Sequence, residues 1–242
     1  MRMGTLTKIQ NELNSLADEK QAKNLQRFFK TGKGEYAEGD IFYGIKVPVT
    51  REVAKKYGKE ISLFETEELL HSKMHEERLC ALLILIQKFN EKNATAEKQK
   101  EIFDLYLRNT KYINNWDLVD LSAHKIIGAY IYSHPAEKKL LTTLAHSKLL
   151  WERRISILSC FYYIYKKEFG EALKLAKILL GDEHDLMHKA VGWMLREIGK
   201  RDLGALEGFL KLHYKKMPRT MLRYAIEKFP EERRKKYLKG LV

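Results

Sequence analysis

The side chains best suited to chemistry sit in three short stretches of the sequence. In Asn114–His124 (NNWDLVDLSAH), Trp116 and Asp120 lie four residues apart. That spacing puts an indole and a carboxylate on one face of a helix, with Leu118, Val119 and Leu121 supplying its apolar side. In Leu149–Tyr165, Arg154 falls between Trp151 and Leu158 on a largely apolar stripe, where a charge needs an anion beside it. In Leu186–Ile198, Trp193 shares a face with Lys189, Arg196 and Glu197 and lies outside the Leu186, Val191, Met194, Ile198 stripe, so a partly buried indole is expected. Indoles attract cations at ~0.5–2 kcal/mol each, a carboxylate stabilises developing positive charge, and a guanidinium grips an anion in bidentate fashion. The same residues also admit a structural reading: core tryptophans with satisfied indoles, and an Asp–Arg pair holding two helices together.

Helices must position these groups. Apolar residues recur at three- and four-residue spacing in successive runs, from Thr5–Leu16 and Lys20–Phe29 through Phe64–His71, Glu77–Phe89, Trp116–Tyr132 and Leu149–Tyr165 to Thr220–Phe229 and Glu231–Leu241. Only 4 prolines occur in 242 residues, each where a helix should begin or end. The exception is the glycine-rich Thr31–Val49, which reads as an ordered loop. Arg78, Trp116, Arg154 and Trp193 are separated by 38, 38 and 39 residues, the length of a HEAT-like helix pair. The register is not unique, because Arg154 matches Lys189 equally well at 35. The expected fold is all-α, a HEAT-like α-α superhelix (solenoid) forming one domain over residues 1–242, with a concave basic groove.

Charge supports the groove. The chain carries 45 Lys and Arg against 32 Asp and Glu, a net charge of +13, and Leu186–Val242 alone holds most of that surplus. Clustered cations on one surface suit a polyanion such as duplex DNA. The 45% hydrophobic content excludes intrinsic disorder. The longest uncharged stretches, Ile155–Tyr165 and Ile126–Ala136, fall short of the roughly 18 residues of a membrane span. No secretory pattern opens the sequence, so a cytoplasmic protein is expected. Cys80 and Cys160 both fall in apolar runs and read as core residues. Gly32 and Gly34 flank Lys33 without the lysine–hydroxyl pair of a phosphate loop. The pairs His71/His75 and His184/His188 have helical metal-ligand spacing but lack the H-E-x-x-H form and a third ligand, so exposed or capping histidines and no metal are expected.

The segments FFKTGKGEY (Phe28–Tyr36), GDIFYGIKVPVTR (Gly39–Arg51), NNWDLVD (Asn114–Asp120), WERRISIL (Trp151–Leu158), HKAVGWMLREIGKRD (His188–Asp202) and MPRTMLRYAIEKFPEERR (Met217–Arg234) closely resemble the AlkD-type DNA alkylation repair glycosylases. The resemblance implies a single α-solenoid that removes N3- and N7-alkylated purines, such as 3-methyladenine and 7-methylguanine, from double-stranded DNA by hydrolysing the N-glycosidic bond. It also implies roles for Trp116, Asp120, Arg154 and Trp193. Arg153 stands beside Arg154, and both the motif and the 38-residue spacing favour Arg154.

The chemistry is consistent with that implication. An N3- or N7-alkylated purine is cationic and leaves without a strong general acid, so positive charge builds on the sugar, where a carboxylate stabilises it and orients water. Asp120 fits that task, Trp116 and Trp193 fit the cationic lesion, and Arg154, Lys189 and Arg196 fit the flanking phosphates. No lysine nucleophile is needed, so the expected product is an abasic site without strand cleavage, and no cofactor is expected. A concave solenoid offers no obvious pocket, so the sugar is expected to react in the groove without extrusion of the base. The alternative from another class is a non-catalytic HEAT-like DNA-binding or scaffold protein. An RNA substrate is a third possibility. A monomer is the simplest expectation for a groove that wraps DNA.

Overall fold

The computed structural model describes residues 4–242. Helices dominate them: α1 (Thr5–Ser15), α2 (Glu19–Phe28), α3 (Val47–Tyr57), α4 (Leu63–Leu70), α5 (His75–Phe89), α6 (Ala96–Arg108), α7 (Trp116–Ala123), α8 (Ala129–Ser133), α9 (Lys139–Ala145), α10 (Leu150–Tyr165), α11 (Gly170–Ile178), α12 (Asp185–Gly199), α13 (Leu203–His213), α14 (Arg219–Ala225) and α15 (Glu231–Lys239). Among the described residues there is no strand, only an isolated bridge between Ile41 and Met74. The protein is therefore all-α. No described helix is long and apolar enough to cross a membrane.

The helix starts follow from local chemistry. Asp18, Thr95 and Asp202 accept the orphan backbone N–H groups of α2, α6 and α13, and Ser62 forms a reciprocal capping box with Glu65 at α4. Pro48 lies in the first turn of α3, Pro135 opens a 3₁₀ turn, and Pro218 and Pro230 precede α14 and α15, positions where the missing N–H has no partner to lose. The expected loop Thr31–Val49 is present but ends earlier than read, because Val47 begins α3. No run was anticipated at α3, whose short face buries only Thr50, Val53 and Ala54.

The chain divides into two compact units, Met1–Leu118 and Val119–Val242, with the division inside α7. In the first, α5 is buried on nearly all sides and packs against α3, α4 and α6. In the second, α10 takes the same part among α9, α11, α12 and the turn that follows α7. Cys80 and Cys160 are buried in these two helices, as expected.

The two central helices also share a sequence signature that the 38-residue spacing hides. His71-Ser72-Lys73 precedes α5 and His146-Ser147-Lys148 precedes α10. In the first unit Arg78 Nη1 donates to the carbonyls of Ser72 and Lys73 (3.1 and 3.2 Å), and in the second Arg153 Nη1 donates to those of Ser147 and Lys148 (3.0 and 3.1 Å). Each arginine also bonds an aspartate, Asp40 or Asp182. The residue equivalent to Arg78 is thus Arg153, not Arg154. The four residues of the expected register also sit at unequal depths in their helices, from the first residue of α7 to the middle of α12.

Candidate functional site

In the second unit, Asp120 and Arg154 meet. Arg154 Nε and Nη2 donate to Asp120 Oδ1 and Oδ2, both at 2.8 Å, and Nη1 donates to the Leu186 carbonyl at 2.6 Å. One guanidinium therefore ties α7, α10 and the start of α12. Arg154 is 4% exposed, whereas the Asp120 side chain keeps 18% of its surface open. The anion that Arg154 needs is supplied by the protein, and the pair leaves one carboxylate fixed in plane and reachable from solvent. Arg153, occupied with Asp182 and the loop carbonyls, takes no part in this pair.

The helix carrying Asp120 continues as a π-helical turn, His124–Gly128, a feature that proteins favour at functional sites. His124 is packed edge-on against Phe161 at 5.3 Å. Burial pushes its imidazole down to about 4, with Lys125 adding to the effect and the Asp120 backbone opposing it. Phe161 also meets Trp193 at 5.8 Å, and Arg201 lies over its ring at 6.0 Å. Trp193 is half-buried, as expected. Its neighbour Gly192 is required: a Cβ there would lie 2.5 Å from the Met221 carbonyl oxygen and 2.5 Å from Tyr224 Cβ. The glycine lets α14 close on α12 and so fixes the indole.

The other expected phosphate contacts also have carboxylate partners. Lys189 pairs with Asp185 at 2.7 Å, and Arg196 pairs with Glu227. In the same unit Lys211, Lys216, Arg219 and Arg223 are exposed and have no carboxylate partner among the described residues.

Trp116 belongs to a different assembly, in the first unit. Asn115 Oδ1 accepts the Trp116 N–H at 2.8 Å and starts α7, while Asn115 Nδ2 reaches Asp40 Oδ2 at 3.3 Å. Trp116 stacks on Phe29 at 5.0 Å with 21° between planes, Phe29 stacks on Phe42 at 5.1 Å, and Phe42 stacks on His75 at 4.4 Å. Phe28 meets Trp116 edge-on at 5.9 Å. Behind the rings, His75 bridges two carboxylates, with Nδ1 to Asp40 and Nε2 to Asp117, each 2.8 Å. Burial alone would push its pKa down, but Asp117 and Asp40 outweigh it and raise His75 to about 9. Burial likewise works against the Asp40 carboxylate, and His75 and Arg78 nonetheless hold it below the usual range.

The glycine-rich loop is tied to this cluster. Glu76 accepts the backbone N–H groups of Tyr43, Gly44 and Ile45 at 2.9–3.0 Å. Gly44 has φ +89° and its Cβ position lies 2.2 Å from the Asp18 carbonyl oxygen, so only glycine fits. His75 is thus buried between acids rather than exposed or capping. His184 does cap, accepting the Leu186 N–H, and His188 contacts the Asp182 carbonyl. Among the described residues no group of three potential ligands could hold a metal ion. Asp40, His75 and Asp117 were not anticipated as a cluster. Asp117, inside the NNWDLVD motif, was the available signal.

A family model described as "DNA alkylation repair enzyme" matches residues 9–229. A solved structure described as a predicted DNA alkylation repair enzyme from Enterococcus faecalis is similar with a TM-score of 0.70 at 17% identity, over 89% of this chain and 97% of that one. The smu.31 protein from Streptococcus mutans UA159 is similar with a TM-score of 0.54 at 16% identity, over 94% of this chain and 100% of that one. At such identities the likeness is one of fold. No curated protein matches.

Proposed function

The chain belongs to the DNA alkylation repair enzyme family, and from that membership we propose that it is a monofunctional DNA glycosylase. Its substrates are N3- and N7-alkylated purines in duplex DNA, its reaction is hydrolysis of the N-glycosidic bond, and its product is an abasic site. The observation that carries this reading is the Asp120–Arg154 pair, a carboxylate held by two charge-assisted hydrogen bonds with an edge still open.

The lesion arrives as a cation, so its departure draws electrons from the sugar and leaves positive charge at C1′. A fixed carboxylate stabilises that charge at no cost in reorganisation, and its solvent-exposed part orients a water for attack at C1′. Asp120 is the catalytic group. Arg154 acts first as its positioning residue, and its remaining N–H groups are those left for a flanking phosphate. Trp193 in the second unit and Trp116 in the first each present an electron-rich indole face to a cation, each worth ~0.5–2 kcal/mol. Lys189 and Arg196 reach phosphates by exchanging a carboxylate partner, while Lys211, Lys216, Arg219 and Arg223 bind them directly. The helix pairs around α5 and α10 read as HEAT-like units of one glycosylase domain, working as a monomer on DNA in the cytoplasm without a cofactor.

One observation favours a second reading. A buried arginine bridging three helices is also what a structural pair looks like, and a non-catalytic DNA-binding scaffold would keep it. Release of 7-methylguanine and 3-methyladenine from methylated duplex DNA separates the two. The glycosylase liberates both bases and leaves alkali-labile abasic sites, whereas a scaffold binds the duplex and liberates neither.

A further inference from the structure

Contrary to the expectation that the fold offers no pocket, the first unit holds a cleft of about 480 Å³. The second unit carries a feature of another kind, at the C-terminal end of α10. Tyr165 is the last residue of that helix and is 73% exposed. Single exposed apolar side chains are ordinary on a protein surface. This ring is set apart by what is fixed behind it.

Arg201, two residues past the end of α12, lies over Tyr165 at 5.8 Å and over Phe161, one helical turn earlier, at 6.0 Å. Its Nη1 donates to the Glu197 carbonyl at 2.9 Å and to Glu197 Oε2 at 3.0 Å, which holds the guanidinium in place. Glu197 is 6% exposed, and Lys200 donates to its other oxygen at 2.6 Å, so one carboxylate serves two cations. A planar cation is thus clamped against one face of Tyr165, and the other face is open to solvent.

The surrounding charge leans positive. Tyr165–Glu168 and Glu197–Asp202 together carry four cations, Lys166, Lys167, Lys200 and Arg201, against three acids. The acids are engaged: Glu168 accepts from the Tyr132 hydroxyl at 2.7 Å, Asp202 accepts the Ala205 N–H at 2.9 Å, and Glu197 holds Lys200 and Arg201. Lys166 and Lys167 are exposed and enter no salt bridge among the described residues. Lys167 also has φ +62°, the left-handed position past a helix end where glycine is usual.

These features select among occupants. A cationic ring is disfavoured, because the guanidinium already draws on the π density of Tyr165 and repels a second positive charge through it. An apolar partner would take water from the two lysines and return nothing. A neutral, electron-rich planar ring that carries an anion satisfies both requirements, and for a chain of a DNA repair family that is a nucleobase with its phosphate. Inside a duplex both faces of a base are covered by its neighbours, so only an unpaired base can offer one. We propose that Tyr165, backed by Arg201, is a stacking platform for an undamaged, unpaired base of DNA, with Lys166 and Lys167 on the flanking phosphates. Such a platform works whether or not the protein breaks a glycosidic bond.

The test uses the full-length protein and two undamaged, fluorescein-labelled duplexes of one sequence, the first fully paired and the second with one extra central adenine, titrated by anisotropy at fixed salt. The wild type should bind the bulged duplex at least about fivefold more tightly. Tyr165→Ala should abolish that preference while affinity for the paired duplex stays within about twofold, and Tyr165→Phe should keep it, because the stack needs the ring and not the hydroxyl. Tyr165 is exposed, so its variants fold, and circular dichroism checks them. Equal wild-type affinity for the two duplexes, or a preference that survives Tyr165→Ala, overturns the platform. Tyr165-dependent binding of polyglutamate without a preference for the bulge would assign the ring to an acidic protein partner and likewise overturn it. Neither duplex carries a lesion, so each outcome stands apart from whether alkylated bases are released.

Discussion

His75 makes stability depend on pH in a way that can be worked out in advance. The imidazole is 2% exposed and lies between Asp40 and Asp117. Those acids overcome the effect of burial and raise it to about 9, against about 6.5 in the unfolded chain. A folded pKa above the unfolded one means the native state holds its proton more tightly. The stabilisation is therefore complete below about pH 6.5 and is lost as pH rises through about 9. At about 1.4 kcal/mol per pH unit, the interval corresponds to ~3 kcal/mol. For a chain of this size that is a fall in melting temperature of roughly 6–12 °C. Below pH 6.5 the opposite slope comes from His124, whose burial lowers it to about 4. It resists protonation in the fold, so stability grows as pH rises from about 4 to 6.5. The assay is denaturant unfolding across pH 5 to 10 for the wild type and for His75→Gln. The difference between the two curves should be largest near pH 6 and should shrink by ~3 kcal/mol by pH 10. A constant difference between pH 6.5 and 10 would refute the ionised bridge.

Three further outcomes are expected. Arg154→Gln leaves Asp120 without its bidentate partner and should destabilise the protein by ~3 kcal/mol or more, measured by thermal melting; Arg154→Lys should not restore base release, because an ammonium cannot reproduce the fork. Gly192→Ala forces a Cβ against the Met221 carbonyl oxygen at 2.5 Å and should cost about 1–3 kcal/mol, with weakened DNA binding as α14 and Trp193 shift. Arg223→Ala, which removes an exposed cation with no carboxylate partner among the described residues, should reduce the slope of log affinity against log salt by ~0.9 in electrophoretic or fluorescence titrations.

Much of this molecule is legible in its residues. The run Leu149–Tyr165 reproduces α10 to within a residue, and Trp116–Tyr132 covers α7, the π-helical turn and α8, because three- and four-residue apolar periodicity is a strong local signal. The α3 helix escaped because it begins at Val47 beside Pro48, adjoins a glycine-rich loop and buries only Thr50, Val53 and Ala54. An anion for Arg154 could be inferred from its apolar stripe. An Asp120–Arg154 pair was one reading of these residues, whereas its bidentate geometry and the further bond to the Leu186 carbonyl are tertiary facts. The same limit applies to His75, whose partners come from residues 40 and 117, and spacing alone read it as an exposed or capping histidine. The true internal match, His71-Ser72-Lys73 with His146-Ser147-Lys148, lay in the sequence but was masked by the more conspicuous tryptophans and arginines.

On the proposed reading, Asp120 carries the chemistry. Its most direct measurement is single-turnover release of 7-methylguanine from methylated duplex, with wild type and Asp120→Asn at saturating protein and with duplex affinity measured in parallel. Wild-type release that falls by ~100-fold or more in the variant, with affinity unchanged or slightly higher, is the expected result. Equal rates in the two proteins, or no release by either, would contradict it.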